Sequence, residues 1–196
     1  MELSVNFIVV FVISIVILFF GIKFIYDIMN MGEEVKLVLT KQVEDELGAL
    51  AMQGKRISIA FNSEKIYPGK NHVFGLGVLN INATHKYFAI GVYAGPAYDR
   101  DNEEIREPKL QFLPNDGDDP SVGVIKETIA LDELKKIPIG VKVPPGTKPG
   151  SYIVNVYVCN SDSTIGEYAG LCSSETPDEN FYDKENPVRK IYVEVP

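Results

Sequence analysis

Ile57-Ser58-Ile59-Ala60-Phe61-Asn62 is the stretch on which the fold turns. Ile57, Ile59 and Phe61 alternate with Ser58, Ala60 and Asn62, the period of two that sends successive side chains to opposite faces of a half-buried strand. Upstream the period is different. Val35, Leu39, Val43, Leu47 and Leu50 recur every three or four residues, the spacing of one helix face, and Gly48 and Gly54 supply stop signals before Lys55. Downstream, strand patterns cover 73–81, 87–93, 110–113, 122–130, 137–143, 152–159 and 188–195, separated by Pro-Gly, Pro-Asn and Asp-Gly turn signals. Short strands with frequent turns predict an antiparallel sandwich. Within 139–152 the prolines cannot donate ladder bonds, so they mark the connection between two strands.

The N-terminus has another character. Residues 3–22 carry no charge, and a bilayer core takes about 20 apolar residues as helix. The run is too long for the core of a signal peptide and lacks a basic segment before it or a small-residue cleavage site after it. Lys23 can carry its ammonium to an interface, and Phe24, Ile25, Tyr26 and Ile28 extend the apolar character towards the stripe that ends at Leu50. One helix over residues 3–50, roughly 72 Å long at 1.5 Å per residue, is the expectation. The expected class is therefore α+β, a long N-terminal α-helix followed by an antiparallel β-sandwich, divided into a helical part at 1–54 and a β-domain at 55–196. A stripe longer than one membrane span must be buried against something: partly the following domain, and otherwise neighbouring copies.

Charge and cysteines bear on where the chain works. The net charge of −8 leaves no basic stripe for nucleic acid, so no nucleic-acid partner is expected. Cys159 and Cys172, the only cysteines, flank the polar stretch 160–171. A bond between them would stabilise by about 3 kcal/mol and implies an oxidising compartment; two reduced thiols are the alternative. His72 and His85 lie far upstream without ligand spacing, which argues against zinc. Asn82-Ala83-Thr84 is a glycosylation sequon and makes Asn82 a candidate outward-facing site.

Catalytic chemistry has little to stand on. Phosphate-loop, zinc-protease and nucleophile-elbow motifs are missing, and no base stands beside a nucleophile, so neither an enzyme nor a cofactor is expected. Gly75 and Gly77 open like a dinucleotide fingerprint, but Asn80 stands at the third glycine position and the segment reads as a strand. Asp99, Asp101, Asn102, Glu103 and Glu104 form one acidic loop, and Asp116, Asp118 and Asp119 another. Such oxygen density could hold calcium, but neither loop has the ligand order of an EF-hand, and a solvated loop is the alternative.

The connection at 139–152 is similar to the E-to-F turn of immunoglobulin-like or adhesion-type domains, so the sandwich is expected to be immunoglobulin-like. Glu2-Leu3-Ser4-Val5-Asn6-Phe7, followed at once by the apolar helix, resembles archaeal type IV pilin-like proteins. In one group of these a peptidase cuts after Gly, before a Gln-x-Ser-x-Glu-Phe-like start. Ser4 and Phe7 match; Glu2 stands for Gln, Asn6 for Glu, and Met1 where the Gly would be. A leader removed before Met1, a misassigned start and an uncleaved chain each fit that departure. The resemblance implies a filament subunit that inserts in a membrane before assembly, its helices bundled in the core and its β-domains outside, serving adhesion or surface contact. Its partners would be copies of itself and a surface or glycan target. Helix self-contacts are then expected at Glu2, Asn6, Phe7, Phe11, Ile13, Ile17 and Phe20. Either Glu2 compensates a neighbour's α-amino charge, since Asn6 cannot, or Glu2 sits in the headgroup region and Asn6 bonds its own helix end. A single-span anchored envelope protein whose sandwich binds a partner or glycan is the alternative. Lys23 and Lys36 favour the C-terminal side of the span inside, whereas the cysteines and the sequon favour it outside; a removed basic leader reconciles the two.

Overall fold

The computed structural model describes residues 13–23, 38–82, 87–116, 119–161, 172–174 and 180–196. The chain divides into two units, Met1–Lys36 and Leu37–Pro196. In the first, residues 13–23 form a helix, α1, whose apolar side chains are exposed. The second is a helix, α2 (Lys41–Met52), and ten strands: β1 (Ile57–Ala60), β2 (Ser63–Lys65), β3 (Asn71–Leu79), β4 (Tyr87–Tyr98), β5 (Gln111–Leu113), β6 (Asn115–Asp116), β7 (Asp119–Thr128), β8 (Leu134–Lys142), β9 (Gly150–Ser161) and β10 (Val188–Val195).

The strands form two facing sheets, a four-stranded one in the order β1-β3-β8-β5 and a six-stranded one in the order β2-β10-β9-β4-β7-β6. Every strand expected from period-two patterning is present, and the pairings are antiparallel except for β2 on β10. Phe74, Leu76 and Val78 of β3 and Ile137, Ile139 and Val141 of β8 meet Ile90 and Val92 of β4 and Val154 and Val156 of β9 in one apolar core. Tyr152, at the start of β9, donates its hydroxyl to Lys148 O at 2.7 Å. That is the tyrosine-corner geometry of Greek-key sandwiches, and it fixes the proline-rich connection read at 139–152.

The expectation of an α+β class built on one long helix is overturned. Among the described residues the fold is mostly β, with only α1 and α2 helical, and no helix is long and apolar enough to cross a membrane. Residues 38–40 are not helical, and α2 begins afresh. Thr40 sits in extended conformation (φ −74°, ψ 153°), and its hydroxyl accepts the Val43 N–H at 3.4 Å. This is a helix N-cap, with Glu44 in the first turn where the helix dipole favours an acid. The three-to-four spacing runs through Thr40 unbroken, which is why periodicity alone joined the two segments. Gly54 takes the left-handed conformation (φ 80°) that closes α2, as its stop signal predicts.

The stripe on α2 is covered by the chain's own sheet. Leu47 is fully buried on the outer face of the four-stranded sheet, over Gly75 and Gly77. A Cβ at Gly75 would stand 2.3 Å from Val43 Cγ1, and one at Gly77 would stand 3.2 Å from Leu47 Cδ2. The two glycines leave a flat seat on β3 for an α-helix.

Candidate functional site

The cysteines are brought together as expected. Cys159 on β9 and Cys172 are bonded, with Cα atoms 5.7 Å apart, and both are buried. The bond holds Cys172 against the outer face of the six-stranded sheet. Its carbonyl oxygen would lie 1.9 Å from a Cβ at Gly91, so only glycine fits beneath it. Ala89, Tyr157 and Phe181 complete a second apolar cluster around the disulfide, with Tyr93 and Val188 against it. At Tyr157 and Cys159 the inward and outward alternation of β9 is lost, because both of its faces are covered.

The other expected sites fall differently. Glu2, Asn6, Phe7 and Phe11 lie outside the described residues, as do Val35, Asp118 and the Ala83-Thr84 part of the sequon. Ile13, Ile17 and Phe20 lie on α1 with relative exposures of 51%, 66% and 71%. Asn82 is half-buried and follows a clamped segment. Asn80 Oδ1 accepts the Asn82 N–H at 2.9 Å, and the Tyr182 hydroxyl accepts the Ile81 N–H at 2.8 Å. The acidic loops bind their own backbone. Asp99 Oδ1 accepts the N–H groups of Asp101 and Glu103 at 3.0 and 2.9 Å, and Asp119 Oδ1 accepts the N–H and hydroxyl of Ser121 at 2.8 and 2.6 Å. The bonds from Ser121 hold the Asp119 carboxyl below its usual range. Among the described residues no group of three acidic, cysteine or histidine side chains could hold a metal.

Sequence reasoning missed a groove of about 1330 Å³ on the β-domain. It arises where the chain changes sheets. β1 belongs to the four-stranded sheet and β2 to the six-stranded one, so Phe61 and Asn62 cross between them. Alternation placed the Phe61 side chain on the buried face. Here it is 49% exposed, because the crossing gives Phe61 a positive φ of 50° and turns its side chain away from the core. Among the described residues β1 is an edge strand with nothing paired on its outer side, and β2 covers β10 only at Tyr192–Glu194. Arg189 bridges the gap: its guanidinium donates to Ile57 O (3.4 Å) and Asn186 O (2.9 Å) and pairs with Asp183.

The wall of the groove includes Tyr182. Its hydroxyl donates to Leu79 O at 2.6 Å and accepts from Ile81 N, and burial pushes its phenol above the ordinary range. The rim carries Lys55, Arg56, Lys184 and Lys190, all exposed. The signal for this site was present in sequence as two basic patches in an acidic chain, Lys55-Arg56 and Lys184 to Lys190, but nothing local joins them.

No protein-family model matches the chain, and no curated protein matches it. Among solved structures, it is similar to the PapD-like domain 7 of human CEP192, at 12% identity and a TM-score of 0.36 over 71% of this chain and 83% of that one. It is similar to a chaperone–tip adhesin complex of CFA/I fimbriae, at 12% identity and a TM-score of 0.38 over 72% of this chain and 56% of that one. The CooA pilin subunit of enterotoxigenic Escherichia coli is similar at 11% identity and a TM-score of 0.31, over 72% of this chain and 96% of that one. Scores of 0.31 to 0.38 carry no argument about function.

Proposed function

We propose that this chain is a surface-displayed subunit of a pilin-like filament, inserted in a membrane before assembly through its apolar N-terminal segment and presenting the β-domain outside for adhesion or surface contact. One observation carries the reading. Ile17, Leu18, Phe19 and Phe20 are four successive residues of α1, exposed by 66%, 61%, 67% and 71%. At 3.6 residues per turn they point in four directions, so α1 is apolar all round. A helix of that kind is stable only when enclosed, by lipid or by other helices. The buried disulfide supports an oxidising environment for the β-domain. A glycan on Asn82 would suit the same environment. Ser4 and Phe7 support the pilin-like start.

A second reading is a monomeric, single-span anchored envelope protein whose β-domain binds a partner or glycan. A specific observation favours it. The stripe at Leu39, Val43 and Leu47 no longer calls for neighbouring copies, because it packs against Gly75 in the same chain. Electron microscopy of material sheared from cells separates the two. Fibres that react with antibody to the β-domain, and that disappear on Ile17→Asp while the β-domain stays folded, support the filament. Cells without fibres, whose extracted protein is strictly monomeric in detergent, leave the anchored reading in its place.

A further inference from the structure

The groove beside β1 is charged against the trend of the chain. In a protein of net charge −8, its rim carries Lys55, Arg56, Lys184 and Lys190. Among the described residues none of the four is in an ion pair. Arg189 engages Asp183, which leaves Glu46 and Glu185 as the carboxylates facing those cations. Two aromatic rings stand in solvent at the same place, Phe61 at 49% exposure and Tyr192 at 44%. They are held close in the chain by the Tyr192 N–H, which donates to Asn62 O at 2.8 Å. Asn62 and Asn186 add exposed amides that can both donate and accept.

Phe61 is the telling residue. A bulky side chain takes φ near 50° only at a cost in backbone strain, and at that position glycine or asparagine would sit more easily. Burial does not explain the choice, since half of the ring faces water. A strained residue that presents an aromatic face to solvent, beside cations in no ion pair among the described residues, gains its use from something outside the chain.

We infer that this groove binds an acidic polysaccharide, a glycan bearing carboxylate or sulfate groups. The C–H faces of sugar rings pack on Phe61 and Tyr192, the asparagine amides meet hydroxyls, and the lysines and Arg56 meet the charged groups. Cations interrupted by Glu46 and Glu185 suit the spaced charges of such a glycan better than the continuous charge of a nucleic acid. The inference names the class of surface ligand and rests on the surface reading only for where that ligand is met, so binding by the purified protein can be measured whether or not filaments exist.

The test titrates the full chain in detergent with galacturonate and chondroitin sulfate hexasaccharides, a neutral hexasaccharide, polyglutamate and oligothymidylate. Saturable binding of an acidic saccharide, with little binding of the neutral one, is expected. Lys184→Glu with Lys190→Glu should weaken it by about tenfold or more, and Tyr192→Ala by about fivefold. Phe61→Gly should bind more weakly yet melt at a higher temperature, since glycine relieves the strain; Phe61→Asn serves if the glycine variant folds poorly. Near-ultraviolet circular dichroism checks that each variant is folded. The inference is overturned if no acidic saccharide binds, if Phe61→Gly binds as well as the wild type, or if polyglutamate or oligothymidylate binds as tightly with the same sensitivities. Loss of self-association in the double lysine variant, with no saccharide bound, would instead give the groove to a second copy of the chain.

Discussion

Gly75 has no side chain, and that decides where α2 can lie. A valine there would drive its Cβ to 2.3 Å from Val43 Cγ1 and 3.1 Å from Leu47 Cδ1, so Val43 must leave its rotamer or the helix must lift. Gly75→Val should therefore lower the unfolding free energy by about 1–3 kcal/mol in a denaturant titration. Tyr182 illustrates a different kind of constraint. Its neutral hydroxyl makes two bonds, to Leu79 at the end of β3 and to Ile81 just beyond it, and burial raises its pKa. Because the fold holds the protonated phenol, this contribution is complete below the unfolded value near 10 and is lost as pH rises through the raised folded value. Tyr182→Phe should cost roughly 1–2 kcal/mol at neutral pH. Its stability should also fall less steeply than that of the wild type in melts taken from pH 9 to 12; equal slopes would remove Tyr182 from the alkaline transition.

Among the elements, the strands were legible because period two is a local property: each strand carries its own alternation whatever it pairs with. Leu47 shows the limit. Its helical spacing was plain, but the partner that covers it is a pair of glycines on β3, and a missing side chain leaves no hydrophobic signal. Thr40 is of a residue type that caps helices, but it stands inside a stripe whose spacing runs through it unbroken, so periodicity alone does not show the break. Phe61 was read as buried because alternation cannot register a strand that leaves its sheet. The cysteine pair was readable from spacing, although its seat over Gly91 was not. Replacing both cysteines by alanine should cost about 3 kcal/mol of stability. It should also uncover Ala89 and Tyr157 on the outer face, measurable as increased binding of a hydrophobic dye to the folded protein. A variant as stable as the wild type would leave the bond without a part in the stability of the fold.

For the whole molecule, the β-unit begins at Leu37, with α2 inside it. A fragment spanning 37–196 should be soluble and melt cooperatively. One spanning 55–196 bares the face around Gly75 and Gly77, and should melt lower or aggregate; equal melting temperatures would make α2 a dispensable cover. The groove could not be read from sequence, because Lys55 and Lys190 meet only after both sheets are built. The parallel pairing of β2 with β10 also gives the domain a mechanical direction. Tension applied between the α2 side of the unit and Val195 pulls these two neighbouring strands along their length in opposite senses. The bonds from Tyr192 N to Asn62 O and from Ile66 N to Glu194 O, at 2.8 and 2.9 Å, then resist together in shear, with the Lys65–Glu194 ion pair beside them. A strand pair pulled open from one end would instead yield one bond at a time. A β-domain held at its N-terminal side and pulled at Val195 thus carries the load in shear across this pair.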